Sequence, residues 1–191
     1  DIEKEEPVIE KLKQVQGVKE SSTTLSAGLF WYKADENSAY LTEEYKTEQK
    51  KSENASVSYN DGKTLMFVYG IADDLYERYL QQNGLSKDTY MNTENPVYLL
   101  YTNRRVTDTK TGKRKDYPVF ANQAFTLKAC FYPETEDENE QEEKQVADID
   151  FNIGGTVDKL PYAVQTDLRY QNDIVLCSRT MAEKLTQKMQ Y

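Results

Sequence analysis

The sequence predicts an α+β fold, a mixed and largely antiparallel β-sheet with a few helices packed on it. Three observations lead there. The longest apolar run, Leu65–Ile71, has the length of a buried strand and is too short for a membrane span. Phe125, Leu127, Ala129 and Phe131 alternate with polar residues, as do Ala147, Ile149, Phe151 and Ile153, so two half-buried strands are expected to pair. Helical periodicity is confined to a few separate places rather than alternating with every strand, which argues against a doubly wound sheet.

In chain order, Ile2–Gln16 reads as a helix with an apolar stripe of Val8, Ile9, Leu12 and Val15, stopped by Gly17. Val18–Lys33, rich in Thr, Ser and aromatic residues, suits a long strand. Tyr40–Lys51 has too few apolar positions to fix its type, and a solvated helix and an edge hairpin both fit. Ala55, Val57 and Tyr59 alternate with polar residues, and the Asn60-Asp61-Gly62 turn would fold them onto the central strand as a hairpin.

After Leu65–Ile71, Asp73 and Asp74 can cap a helix, with Glu77 completing a capping box. Leu75, Tyr76, Tyr79 and Leu80 share one face of it, and Gly84 followed by Leu85 ends it. Val97–Tyr101 is a dense apolar strand, and Val106–Lys115, with Asp108 and Gly112, has the make-up of an exposed hairpin tip. Gly154 and Gly155 end the second alternating strand, and Ile174–Cys177 is a last short buried strand. The final helix begins near Ser178 or Thr180, with Glu183 in a capping box from Thr180 and Met181, Leu185 and Met189 as its stripe. One domain spanning 1–191 is expected, with 97–155 as a candidate small lobe.

Composition excludes more than it assigns. The formal charge is -9, from 33 acidic against 24 basic residues, a field that repels phosphates and argues against nucleic-acid binding. The chain contains no histidine, which removes the commonest general base and metal ligand. The 15 tyrosines can fill the edge of a core while keeping their hydroxyls wet. Cys130 is phased outward and Cys177 sits in a fully apolar strand, which weighs against a disulfide between them.

Motifs add little chemistry. Asp61-Gly62-Lys63-Thr64 ends like a phosphate-binding loop, but its first glycine position is Val57 and a strand follows, so it reads as a turn. Asp35, Asn37 and Glu44 lack the glycine of a calcium loop, and Asn54-Ala55-Ser56 is a glycosylation triplet that chance often produces. Two runs of opposite charge stand out, one from Arg104 to Lys115 and an acidic one from Glu134 to Glu143. The hairpins 104–116 and 133–145 are expected to project beyond the core, where the tips could attract one another or the basic one could touch anionic lipid headgroups. Arg104, Arg105, Lys113, Arg114, Lys115, Glu136, Asp137 and Glu138 are therefore the candidate partner surface. No residue bids for catalysis, and no cofactor or metal is expected.

Taken as a series, several pieces carry a resemblance: the opening helix into Gly17-Val18, Leu65–Gly70 with its helix, Val97–Thr102, Gln123–Phe131, Ala147–Gly155, Pro161 and Ile174–Ser178 before a helix. Together they resemble the extracytoplasmic domain of FtsX-like, MacB-like ABC-transporter permeases over nearly the whole chain. The resemblance implies a non-catalytic domain between two membrane helices, on the outer side of a cell membrane, its terminal helices leading to the bilayer and its two ends close together. Cytoplasmic ATP hydrolysis by a cognate ATP-binding subunit would move it against a lipid, peptide, drug or protein outside. The high tyrosine content and long charged hairpins depart from that pattern. A secreted or lipid-anchored adhesin-like binding module is the alternative, and the start at Asp1 without methionine is expected of a piece excised from a longer protein.

Overall fold

The computed structural model describes residues 7–8, 10–12, 14–17, 22–52, 63–107, 110–131, 147–164 and 173–189. The strands are β1 (Thr24–Lys33), β2 (Lys63–Ile71), β3 (Tyr98–Tyr101), β4 (Arg104–Thr107), β5 (Arg114–Tyr117), β6 (Phe125–Phe131), β7 (Ala147–Val157) and β8 (Asp173–Ser178). The helices are α1 (Glu43–Ser52), α2 (Asp73–Gln82), the short α3 (Lys87–Tyr90) and α4 (Arg179–Met189), with a 3-10 helix over Asp35–Tyr40. The α+β class holds. The sheet closes on itself as a six-stranded barrel in the order β1-β2-β8-β3-β7-β6, while β4 and β5 form a separate two-stranded sheet.

β2 is central, as its apolar run demands, antiparallel to β1 on one side and parallel to β8 on the other. The expected hairpin partner of β2, Ala55–Tyr59, lies outside the described residues. β6 and β7 pair antiparallel from Phe125↔Ile153 to Phe131↔Ala147, as their alternation predicts. The barrel closes through a narrow seam, with only Phe30↔Phe131 and Trp31↔Cys130 in register between β1 and β6. Asn37, almost fully buried, bridges the same two strands. Its amide donates to the carbonyls of Lys33 and Lys128 and accepts the Lys128 N–H at 3.1 Å. β3, β6 and β7 are all barrel strands, and among the described residues of 97–155 the β4–β5 sheet stands apart from them.

Alternation divides the apolar side chains into two layers. Phe30, Met66, Val68, Leu100, Leu127, Phe151, Val175 and Cys177 fill the interior. Phe67, Leu99, Ile174 and Leu176 face outward, under the Leu75, Tyr76, Tyr79 and Leu80 face of α2. Leu99, Ile174 and Leu176 are fully covered there, and each such side chain contributes roughly 1.5–3 kcal/mol. α2 ends as its sequence demands: Gly84 is left-handed at φ 67°, the Leu85 N–H donates to the Leu80 carbonyl and the Gly84 N–H to that of Gln81. Its start differs from expectation. Ala72 is the cap residue without a side-chain bond, and Asp73 reaches instead to α4, accepting from the Thr180 N–H and hydroxyl. α4 in turn is capped by Ser178, whose Oγ accepts the Met181 N–H, while Glu183 pairs with Arg179 rather than closing a box with Thr180.

Strand directions define two barrel ends. One gathers the starts of β1, β3 and β7 with the finishes of β2, β8 and β6, and α4 closes it with Met181, Ala182 and Leu185. α4 comes close because Gly70 lacks a side chain where a Cβ would sit 2.4 Å from that of Ala182. The other end is closed by Leu41, Tyr45, Tyr117, Val119 and Phe120 from α1, its approach and the β5–β6 connection. Of the two types open for Tyr40–Lys51, helix is what forms from Glu43 on, after a bridge from Leu41 to Phe120, with Thr42 accepting the Tyr45 N–H and donating to the Pro118 carbonyl. Pro7, Val8 and residues 10–12 are helical, but Val8, Leu12 and Val15 are exposed, so these three do not pack on the sheet. The expected closeness of the two ends of the chain falls on residues 1 and 191, outside the described ones.

The tyrosines go deeper than amphipathic rings require. Tyr32 and Tyr76 are buried with bonded hydroxyls, Tyr76 donating to the Leu176 carbonyl at 3.3 Å. Burial raises the pKa of Tyr32, Tyr45, Tyr76, Tyr90 and Tyr98, and pushes Tyr79 up to about 12 with help from Asp158. In the unfolded chain these phenols ionise near pH 10, so above about that pH the unfolded state binds fewer protons and stability falls. We expect the urea midpoint to hold steady up to about pH 9 and then to drop through the window from about 10 to about 12. Full tyrosinate absorbance at the lower edge of that window, with native circular dichroism retained, would refute the buried phenols.

Candidate functional site

β4 leaves β3 at the end of the barrel opposite α4, so the β4–β5 hairpin stands over that mouth. The register runs from Arg104↔Tyr117 to Thr107↔Arg114, with Gly112 in the turn at φ 66°. Of the basic residues predicted to form an exposed surface, Arg104 is the main correction. It points inward, with Nη2 2.6 Å and Nη1 3.2 Å from the two carboxylate oxygens of Asp173. Asp173 is fully buried and Arg104 only 13% exposed. The Tyr32 hydroxyl donates to the same carboxylate at 2.5 Å. Burial alone would lower the Arg104 pKa, but the Asp173 charge and the facing phenol Tyr32 raise it, so the guanidinium is fixed as a cation.

Burial first, then the Asp173 charge, pushes the Tyr32 phenol well above its ordinary value, so its proton stays on the hydrogen bond. A buried carboxylate is tolerable here because both its oxygens are bonded and its charge is matched. Such a closed network anchors the hairpin, and it offers no open position for a substrate.

The remaining predicted residues split. Arg105 makes a two-pronged pair with Asp116 across the hairpin, both bonds 2.7 Å, and holds that carboxylate below its ordinary pKa. Lys115 reaches Glu44 on α1 at 2.8 Å. Lys113 and Arg114 are exposed near the turn. Glu136, Asp137 and Glu138 lie outside the described residues. β6 finishes at Phe131 and β7 begins at Ala147, both at the α4 end of the barrel, so the acidic run departs from the end opposite the basic one, and the expected attraction between the two tips falls on residues outside the described ones.

Sequence reasoning missed Tyr32 and Asp173. The available signal was Asp173 itself, a carboxylate opening the fully apolar strand Ile174–Cys177, which requires a cation from elsewhere. Both cysteines are free, Cys177 inside the barrel and Cys130 half-buried.

Beneath the hairpin lies a cleft of about 740 Å³ of mixed polarity, bordered by Asn83, Asn103, Asp116 and Asn122 on one hand and Leu85 and Val157 on the other. Its amides are partly committed, since Asn122 accepts the Thr156 N–H at 2.9 Å and Asn83 donates to the Tyr79 carbonyl. Two other grooves are mainly apolar, one of about 480 Å³ between Tyr98 and α4 and one of about 430 Å³ beside the exposed Tyr162. Among the described residues no three His, Cys, Asp or Glu side chains are grouped to hold a metal, and no helix is long and apolar enough to cross a membrane. The fold and the anchored hairpin define the class as an α+β barrel with a projecting basic arm. Comparison with family models, with curated proteins and with solved structures finds no match to this chain.

Proposed function

We propose that this chain is the extracytoplasmic, non-catalytic domain of an FtsX-like, MacB-like ABC-transporter permease, moved by a cognate ATP-binding subunit through membrane spans outside these residues. One observation carries the reading. The chain enters β1 and passes from β8 into α4 at the same end of the barrel, where the Arg179 guanidinium donates to the Thr23 hydroxyl at 2.8 Å. An insertion between two membrane helices needs that arrangement, with both connections on the membrane side and the rest of the barrel held away. The closed polar network at the far mouth supports a mechanical rather than a chemical role. On this reading the full-length protein, tagged and extracted from membranes with detergent, co-purifies with an ATP-binding subunit. Release of the full-length protein into the medium, or recovery from membranes without any ATPase, would overturn the reading and favour a secreted or lipid-anchored binding module.

A further inference from the structure

We propose that the cleft beneath the β4–β5 hairpin is a binding site for a neutral pyranose sugar, met as part of an oligosaccharide. Its volume of about 740 Å³ lies within the usual span of small-molecule sites, about 300–1,000 Å³. The end of α2, the β3–β4 link and the finish of β7 come together there, and every lining residue is among the described ones. Three polar groups are each fixed by one hydrogen bond and left half free. Thr102, only 4% exposed, accepts the Val119 N–H at 3.1 Å, and its own O–H proton has no acceptor among the described residues. Asn122 accepts the Thr156 N–H at 2.9 Å, which assigns its amide oxygen and leaves its NH2 group as a donor. Asn83 donates to the Tyr79 carbonyl at 2.8 Å, so its side-chain oxygen remains an acceptor. Asp158, exposed just past β7, adds a carboxylate without an ion pair among the described residues.

Fixed donors beside fixed acceptors select the ligand. Each hydroxyl of a sugar both donates and accepts, so one ring satisfies both kinds at once. A cation such as an arginine side chain would engage Asn83 and Asp158 but leave the Thr102 and Asn122 donors unmatched, which is costly for a buried hydroxyl. An anion meets Asp158 in a chain of net charge -9, so phosphorylated and acidic sugars are turned away. Leu85 and Val157 give the same cleft an apolar side, and the C–H face of a pyranose ring is the surface that matches it. The proposal goes beyond the permease reading and does not depend on it.

The test titrates the purified, isotope-labelled 191-residue chain with maltotriose, cellotriose and tri-N-acetylchitotriose, and with a tri-arginine peptide as counter-probe, followed by NMR. At least one of the sugars is expected to shift the side-chain amide signals of Asn83 and Asn122 saturably at millimolar concentration. Asp158→Asn should weaken that sugar roughly tenfold, while Asp150→Asn, which removes the same charge at the other end of β7, leaves its affinity unchanged. No saturable shift with any of the three sugars, shifts confined to residues outside the cleft, equal affinity of the Asp158→Asn variant, an equal loss on Asp150→Asn, or tighter binding of tri-arginine than of every sugar would each overturn the proposal. Failure here leaves the co-purification result untouched, because that experiment reads the membrane part.

Discussion

Replacing Asp173 by alanine is expected to destabilise the chain by about 3–5 kcal/mol, with the thermal midpoint falling by about 10 °C. The change leaves the Arg104 guanidinium buried without its counter-charge and strands the Tyr32 hydroxyl. Desolvation is the larger part of that cost, and it disappears when both charges go together. The pair Arg104→Met with Asp173→Leu should therefore be more stable than either single variant. Urea unfolding of the parent, the three single variants and the double variant measures this directly. A loss under about 1 kcal/mol for Asp173→Ala would show that the network is open to water. Because Arg104 begins β4, the single variant should also release the arm, seen as faster amide exchange in β4 and β5 before global unfolding.

A comparable loss, about 3 kcal/mol, is expected from Gly70→Ala. The added methyl meets the Ala182 Cβ at 2.4 Å and the Arg179 Cα at 3.1 Å. The second of these is backbone, so α4 itself must lift from the mouth of the barrel and uncover Met181 and Leu185. Combining Gly70→Ala with Ala182→Gly removes the closer clash at a helix-propensity cost of about 1 kcal/mol, so the double variant should recover part of the loss. A single variant as stable as the parent would mean that α4 is not seated on β2 as described.

Local patterns were legible where one residue and its near neighbours settle the outcome. The face of α2 and its glycine stop are written in a dozen consecutive residues, and the alternation of β6 and β7 fixes which side chains point into the barrel. Caps were less legible. Asp73 has the chemistry to cap α2, yet α4 lies within reach and competes for the same carboxylate, which only packing can arrange. The same limit governed the basic run. Arg104 and Arg105 are adjacent and alike in sequence, but strand alternation sends one into the barrel mouth and the other outward to Asp116.

By itself the sequence determined the class of the fold, the central strand, the amphipathic faces and the want of histidine chemistry, because each depends on residue type and short-range spacing. Only the tertiary structure decided that the sheet closes, that β2 takes β8 as its parallel neighbour and that Asp173 meets a cation 69 residues away in sequence. It also decided that the two charged runs depart from opposite ends of the barrel. Those outcomes depend on strand direction and on contacts between distant segments, and residue spacing carries no record of either.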